Sequence, residues 1–164
     1  NKPSKNKVVL ILTDYLKTNT DKQLKLLTMA QKGLDKSILY IVKPHPSHNV
    51  NPNDFPDINL KISKKTLPEL LAISDIVYSS STTSGAIDAY CSGLPIIVLN
   101  DAQILPQSPL RGFKDVHFSS SANDLADKIT NVNLLISQDR VDFFDINLSL
   151  PKWSKWLNII SKTK

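Results

Sequence analysis

Short apolar runs alternate along the chain with segments in which apolar residues recur every three or four positions. The runs are rich in Val, Ile and Leu and show no regular exchange with polar residues, which is typical of strands buried on both faces. They predict strands at residues 7–12, 38–42, 59–63, 75–79, 95–99 and 115–119.

The segments with helical spacing lie between these runs. They predict helices at residues 20–34, 66–74, 84–92, 121–132 and 151–161, while residues 134–138 fit neither pattern. The expected boundary residues are Asn19 or Thr20, Thr66 and Ser121 as N-caps, Pro151 in a first turn, and Gly33 and Gly93 at C-terminal ends. This order predicts an α/β fold. It is one three-layer, Rossmann-like domain over residues 7–164, with a parallel sheet and helices on both faces, after a linker of residues 1–6.

The composition is that of a globular domain, with 164 residues, 41% of them hydrophobic and 21% charged. No apolar run approaches the roughly 18–20 residues that cross a bilayer, and the polar start of the sequence is unlike a signal peptide. The net charge of +5 allows an anionic ligand, a nucleic acid or an anionic membrane as partner. Nucleic acid is not expected, because the lysines are scattered and do not alternate with aromatic residues. The single Cys91 lies in an apolar helical pattern and is expected to be a buried, structural thiol.

The loop after the second predicted strand reads Lys43-Pro44-His45-Pro46-Ser47. Proline restricts the residue before it to extended conformations, so Lys43 and His45 are both held extended at a strand tip. Lysine and histidine can carry positive charge and donate hydrogen bonds, and a hydroxyl follows at Ser47. The loop therefore predicts a phosphate site. The alternative is that His45 only packs on Pro44 and shapes a turn.

The second candidate loop is a run of hydroxyl residues between the fourth predicted strand and a helix. It consists of Ser79, Ser80, Ser81, Thr82, Thr83 and Ser84, followed by Gly85. A helix start exposes unpaired N–H groups, and a glycine lets a ligand approach the backbone. One helix cap needs only one hydroxyl, so the run favours phosphate binding over a simple N-cap with a solvated loop.

Both loops follow strands, and a parallel sheet places such loops at its carboxyl edge, where α/β proteins bind ligands. We expect the two strands to be neighbours and a diphosphate to bridge the loops. The motifs G-x-x-x-x-G-K-[ST], G-x-G-x-x-G and D-x-D do not occur, and neither does a Cys/His ligand spacing. A dedicated metal site is therefore not predicted.

Three stretches together resemble the C-terminal, nucleotide-sugar-binding half of GT-B glycosyltransferases. They are KPHP (43–46), LPELLAISDIVYSSSTTSGAIDAYCSGLPII (67–97) and FFDINLSLPKWSKWL (143–157). The resemblance is to bacterial enzymes of capsule and lipopolysaccharide assembly that have an HP motif and a downstream serine-rich motif, such as sialyl- and polysialyltransferases, Kdo transferases and CDP-glycerol polymerases. It covers the chain from residue 7 to about residue 157.

The resemblance implies a role for each loop in holding a nucleotide-activated sugar. His45 would be the catalytic residue and would bind the donor phosphate. The nucleotide and its phosphate would also be held by Lys43, Pro46, Ser47, Ser79, Ser80, Ser81, Thr82, Thr83, Ser84 and Gly85. The nucleobase would lie near Ser63, Lys64, Lys65, Thr66 and Leu67. Thr13 and Asp88 would lie near the donor sugar, although a surface role for Asp88 fits equally well, because the acidic pair usual in this family is missing.

The resemblance also implies partners and a location. The donor would be linked to CMP or CDP in preference to UDP, with no further cofactor and no metal. A glycan or glycolipid acceptor would bind an N-terminal half that is expected to be missing from this chain, so the piece alone would be inactive. The enzyme would work in the cytoplasm, with peripheral contact to the inner membrane as an option.

Other interpretations remain open. A half of a sugar-nucleotide 2-epimerase and a non-catalytic docking module are the alternatives to a transferase, and a receiver-type signalling domain would need more acidic residues than Asp14 after the first strand. The last predicted helix carries Trp153, Trp156, Leu157 and Ile160 at helical spacing among lysines. We expect it to pack on its own domain or on the missing half, with an anionic membrane surface as the alternative.

Overall fold

Six parallel strands form the middle layer of the fold within the residues that the computed structural model describes, which are 6–103, 105, 107–113, 115–132, 141–144 and 149–162. The strands are β1 (Val8–Leu12), β2 (Leu39–Lys43), β3 (Leu60–Ile62), β4 (Ile76–Ser79), β5 (Ile96–Leu99) and β6 (Val116–Ser119). Their order in the sheet is β3-β2-β1-β4-β5-β6. Each strand begins one residue later than predicted, and the predicted parallel sheet is confirmed.

Helices cover both faces of this sheet. They are α1 (Lys17–Ala30), α2 (Leu67–Leu71), α3 (Gly85–Cys91), α4 (Ala122–Thr130) and α5 (Pro151–Lys162), with 3-10 turns at Gln31–Gly33 and Pro52–Asp54. Val9 and Ile11 of β1 belong to the core on the side of α1 and α4, whereas Leu10 belongs to the core on the side of α2 and α3. Successive side chains of a strand point to opposite faces, so β1 is buried on both sides. The predicted three-layer α/β architecture is confirmed.

Three predicted helix boundaries are confirmed. Ser121 Oγ accepts a hydrogen bond from the N–H of Asp124 (3.3 Å) at the start of α4. Gly93 follows α3 with a φ of 81°, a left-handed conformation that glycine adopts without strain. Pro151 is the first residue of α5.

The predicted start of α1 at residue 20 is wrong. The helix begins at Lys17, because Asp14 Oδ1 accepts a hydrogen bond from the N–H of Leu16 (2.9 Å) and turns the chain into the helix earlier. Thr20 is therefore an interior residue of α1, and its hydroxyl is buried instead of capping the helix.

The prediction that Cys91 is buried is also wrong, because its thiol is exposed. The face of α3 that packs on the sheet consists of Ala86, Ala89 and Tyr90. Since consecutive residues on a helix differ by about 100° in direction, Cys91 points away from that face.

Helix α5 was expected to pack on its own domain or on the missing half; its own domain does not cover the side chains that are described, and packing on the missing half stays a prediction. Residues 151–158 are all exposed, including Trp153, Trp156 and Leu157. The predicted position of Ile160 on the same face lies outside the described side chains, and residues 134–138 lie outside the described residues. Among the helices that the structure describes, none has the length and apolar character needed to cross a membrane.

Glu69 provides a stability test at the start of α2. Its Oε2 accepts hydrogen bonds from the N–H (2.8 Å) and the hydroxyl (2.6 Å) of Thr66, and these bonds lower the pKa of Glu69. A carboxylate with a lowered pKa in the folded state stabilises the fold above its unfolded pKa, and this contribution is lost as the pH falls through the folded value. Glu69→Gln should therefore lower the urea midpoint at neutral pH. In acid, the urea midpoint of this variant should approach that of the unsubstituted chain.

Asp57→Asn is the matched control for this experiment, because Asp57 is exposed and has no described hydrogen bond. It should shift the urea midpoint little at any pH. A difference between Glu69→Gln and the unsubstituted chain that stays constant from neutral to acid pH would contradict the role assigned to the carboxylate.

Candidate functional site

The loops after β1, β2 and β4 enclose a cavity of about 180 Å³ at the carboxyl edge of the sheet, which we call the edge cavity. Its wall consists of Leu12, Thr13, Lys43, Pro44, His45, Pro46, Leu67, Thr83, Ser84, Gly85 and Asp88. The expectation that β2 and β4 are neighbours is wrong, because β1 lies between them. Their loops still meet, since both line the space over the end of β1.

His45 is held by hydrogen bonds on two sides. Its backbone N–H donates to Thr13 Oγ1 (2.8 Å), and its Nδ1 accepts from the backbone N–H of Ser47 (3.1 Å). Nδ1 also lies 2.8 Å from the hydroxyl of Ser47, so both contacts of this nitrogen are with Ser47. Nε2 is therefore the nitrogen of His45 that is left to contact a ligand.

Ser47 stabilises the loop after β2 by hydrogen bonds and is not part of the cavity wall. Its hydroxyl donates to the carbonyl of Tyr15 (2.7 Å) and lies 3.1 Å from Nδ1 of His48. His48 Nε2 in turn lies 3.1 Å from the hydroxyl of Thr20. The network joins the loop after β2 to the start of α1. Sequence reasoning missed His48, and its only signal was a second histidine three residues after His45.

The structure divides the six hydroxyl residues into three pairs. Ser79 and Ser80 are buried beneath the loop, whereas Thr83 and Ser84 line the edge cavity together with Gly85. Ser79 Oγ donates to the carbonyl of Ser80 (3.1 Å), and the hydroxyl of Ser80 has no hydrogen-bond partner among the described residues. Half-buried Ser81 and Thr82 also lie outside the cavity wall, in the loop between these groups.

Asp14 anchors this loop from β1 and is a residue that sequence reasoning did not assign to the site. It is only 1% exposed, and its Oδ2 accepts a hydrogen bond from the hydroxyl of Thr82 (2.6 Å). Its Oδ1 accepts from the N–H of Leu16. Both carboxylate oxygens are thus used inside the protein, which makes Asp14 a structural link between two loops of the site.

The start of α3 offers less than the sequence suggested. The helix has seven residues, so its dipole is short. The N–H groups of Ala86 and Ile87 already donate to the carbonyls of Thr83 (3.3 Å) and Ser84 (2.9 Å). Hydroxyls and the side chains of Lys43 and His45 are therefore the main donors available in the edge cavity.

Lys43 connects the edge cavity to the loop that precedes α2. Its Nζ donates to the carbonyl of Lys65 (2.8 Å), and the N–H of Lys65 donates to Ser63 Oγ (3.2 Å). Leu67 lines the edge cavity, whereas Ser63, Lys64, Lys65 and Thr66 lie beyond its wall. An ammonium group has three donors, so Lys43 can hold this carbonyl and still face an anion.

Asp88 lies where the edge cavity meets a larger groove between α2 and α3. The groove has a volume of about 740 Å³, and Asp88 and Leu67 line both spaces. The rest of its wall consists of Pro68, Leu71, Ala72, Ser74, Cys91, Ser92 and Leu94. Within the described residues, no group of three His, Cys, Asp or Glu side chains is placed to hold a metal ion.

Comparisons with known proteins find this architecture in several solved structures. No protein-family model and no curated protein matches the chain. Among solved structures, TarM matches 97% of the chain with a TM-score of 0.63 and 19% identity. A protein described as a UDP-N-acetylglucosamine 2-epimerase from Listeria monocytogenes matches 86% with a TM-score of 0.58 and 12% identity.

A third match is to a domain of similar length. The C-terminal domain of LpcC, a glycosyl transferase group 1 family protein from Francisella tularensis, matches 81% of the chain at 15% identity, with a TM-score of 0.52, and 80% of that domain is covered. The chain has the fold of one half of a GT-B glycosyltransferase. The chain spans 36% of the length of TarM and 42% of the length of the Listeria protein.

Proposed function

We propose that the chain is the donor-binding half of a glycosyltransferase and that it holds a nucleotide-activated sugar by its phosphate in the edge cavity. The observation that supports this most is the convergence of Lys43, His45 and the hydroxyls of Thr83 and Ser84, which come from separate loops, on one cavity. These groups are hydrogen-bond donors, and two of them can carry positive charge, which suits a phosphate.

The proposed chemistry follows from where charge develops. In transfer, the acceptor oxygen forms a bond to the sugar carbon, the bond between that carbon and the phosphate oxygen breaks, and the nucleotide leaves with the bonding electrons. Donors that are already in place stabilise the charge growing on that oxygen. His45 would donate through Nε2, and Lys43 would add its charge without a metal ion. The proton of the acceptor hydroxyl would pass to a base in the other half of the enzyme.

The size of the edge cavity limits what it holds. About 180 Å³ is below the roughly 300–1,000 Å³ of pockets that enclose a whole small molecule. A phosphate or diphosphate would fit inside, with the rest of the donor outside. The nucleobase would extend along the loop of Ser63 to Leu67, and the sugar would lie near Thr13 and Asp88.

The finer assignments come from the sequence resemblance. We propose a CMP- or CDP-linked donor in preference to a UDP-linked one, an acceptor glycan or glycolipid of the bacterial surface, and an N-terminal half that binds the acceptor. Activity would require both halves. The protein would act in the cytoplasm.

A sugar-nucleotide 2-epimerase half is the second candidate. The observation in its favour is the structural likeness to the Listeria protein, with a TM-score of 0.58. An epimerase half would also bind a nucleotide sugar in this cavity, but it would prefer UDP. The choice of base therefore separates the two candidates.

A nucleotide titration tests the proposal. We expect CMP and CDP to bind the folded chain, as followed by calorimetry and by NMR shifts at His45, Thr83 and Ser84, with no requirement for Mg²⁺. Cytidine is the matched control, because it keeps the base and lacks the phosphate, and it should bind far more weakly.

The outcomes are distinct. Preference for UDP would favour the epimerase. Absence of binding by CMP, CDP, UDP and GDP to a folded sample would contradict the donor-binding role and favour a docking module.

A further inference from the structure

A glutamine of α1 contacts the ends of two strands that lead to the edge cavity. Gln23 is fully buried, and its Nε2 donates hydrogen bonds to the carbonyls of Leu12 (3.2 Å) and Tyr78 (3.2 Å), in β1 and β4. Carbonyl oxygens only accept, so the amide nitrogen must face them and Oε1 takes the other position of the amide. That oxygen is buried and has no hydrogen-bond partner among the described residues.

A second buried polar group without a partner lies in the loop after β4. Ser80 is 1% exposed, and within the described part of the chain its hydroxyl contacts no donor or acceptor. The backbone N–H of Ser80 donates to the carbonyl of Leu12 (3.0 Å), which is the same oxygen that Gln23 contacts. The two unpaired groups therefore belong to residues that share one carbonyl, although the groups do not bond to each other.

The chemistry of these two groups is that of a site for water. Buried polar groups in folded proteins are nearly always paired with protein atoms or with ordered water, because an unpaired one is destabilising. Gln23 Oε1 needs a donor, and the hydroxyl of Ser80 can both donate and accept. A water molecule offers both functions, and buried waters typically bond to about three such groups.

We infer that one buried water molecule joins Gln23 Oε1 to the hydroxyl of Ser80 and holds the loop after β4 in place beneath the edge cavity. The same loop carries Thr83 and Ser84, three and four positions further along, and their side chains line the cavity. Gln23 and Ser80 do not belong to the cavity wall. They are positioning residues, because they act through the loop that carries the cavity hydroxyls.

Other occupants fit these groups less well. A ligand in the edge cavity does not reach Ser80, which is buried and lies outside the cavity wall. A buried cation would need a negatively charged ligand. The carboxylate of Asp14, which anchors this loop, already accepts hydrogen bonds from Leu16 and Thr82 through its two oxygens. Water is neutral and needs no such charge.

The sign of one stability change tests the inference. An unpaired hydroxyl is unfavourable when buried, so without the water Ser80→Ala would leave the urea midpoint unchanged or raise it. With the water, Ser80→Ala should lower the midpoint and reduce the folding equilibrium constant about fivefold, which corresponds to one ordinary hydrogen bond. Ser74→Ala is the matched control, because Ser74 is also buried and its hydroxyl donates directly to the carbonyl of Leu70 (2.6 Å). The two variants should lose similar amounts of stability.

A double-mutant cycle with Gln23→Met tests whether Gln23 and Ser80 share the water. Methionine has a similar length and lacks the amide, so the water should be lost in this background. Ser80→Ala should then cost much less than in the unsubstituted chain, whereas Ser74→Ala should cost the same in both. A high-resolution crystal structure should show a water within hydrogen-bond distance of Gln23 Oε1 and Ser80 Oγ. If Gln23→Met does not fold, this crystal structure and the comparison of the two alanine variants still decide the question.

The effect on ligand binding rests on the proposed function. Ser80→Ala should weaken the binding of CMP or CDP severalfold, because it loosens the loop of Thr83 and Ser84, and Ser74→Ala should leave it unchanged. Absence of nucleotide binding by the unsubstituted chain would contradict the proposed function alone, since the stability measurements and the crystal structure test the water without any nucleotide.

Several results would overturn the inference. These are an unchanged or raised urea midpoint in Ser80→Ala, an equal cost of this substitution in both backgrounds, and a crystal structure in which the Ser80 hydroxyl bonds directly to a protein atom. If the unsubstituted chain binds a nucleotide, equal affinity in Ser80→Ala would contradict the positioning role.

Discussion

Replacing His45 with alanine should weaken the binding of the preferred nucleotide about 100-fold. The substitution removes a donor to a charged phosphate, and hydrogen bonds to charged groups contribute roughly 1.5–3 kcal/mol. Calorimetric titration of the unsubstituted and substituted chains measures the change. In the complete enzyme the same substitution should lower kcat as well, because the charge on the leaving phosphate grows in the transition state.

Two further substitutions separate ligand binding from loop shaping. His45→Asn has an oxygen near the position of Nδ1 and so keeps an acceptor for the N–H of Ser47, but it has no donor at the position of Nε2. His45→Gln extends further and can place a donor near Nε2. If His45 binds phosphate, Asn should resemble alanine and Gln should recover part of the affinity.

His48→Ala is the control within the same loop, because His48 contacts Ser47 and Thr20 and is not part of the cavity wall. Its effect on affinity should be small. Full nucleotide affinity in His45→Asn would contradict the phosphate role and leave His45 as a residue that shapes the turn.

Replacing Asp14 with alanine should lower the free energy of unfolding by about 3 kcal/mol. The carboxylate is 1% exposed and accepts two hydrogen bonds, so its removal leaves the N–H of Leu16 and the hydroxyl of Thr82 without their partner. A hydrogen bond to a charged group contributes roughly 1.5–3 kcal/mol. Urea unfolding followed by circular dichroism measures the loss, which would be a large share of the roughly 5–15 kcal/mol typical of a domain.

Two neighbouring threonines provide the control. Thr82→Val removes one of the hydrogen bonds to Asp14 and should lower stability by about half as much. Thr83 lines the edge cavity instead, so Thr83→Val should change stability by less than about 0.5 kcal/mol and should reduce nucleotide affinity. Equal stability losses in the two valine variants would contradict the separate roles of these hydroxyls.

The fold could be predicted from the sequence because its signals are local. Runs such as Val8–Leu12 are apolar at every position, and only a strand covered on both faces requires that. Strand order is not a local property. The Rossmann-like order 3-2-1-4-5-6 places β1 between β2 and β4, so the expected neighbour relation was at odds with the predicted fold class and failed.

Within the candidate site, the sequence located the loops but not the direction of each side chain. Thr82 and Thr83 are adjacent and chemically alike. One faces Asp14, which is 68 positions away, and the other faces the cavity. The outward direction of Cys91 likewise depends on which side of α3 meets the sheet. Such contacts arise from packing between distant segments and leave no pattern along the chain.

The prolines on either side of His45 also affect the entropy of binding. Pro44 and Pro46 fix their own φ angles, and each restricts the residue before it. Ordering one free residue costs roughly 1–2 kcal/mol at room temperature. Here the loop is ordered when the protein folds, so ligand binding does not carry this cost. A ligand that reaches this loop meets a backbone that is already ordered. The chain can therefore give most of its interaction energy to affinity, even for a group as small as a phosphate.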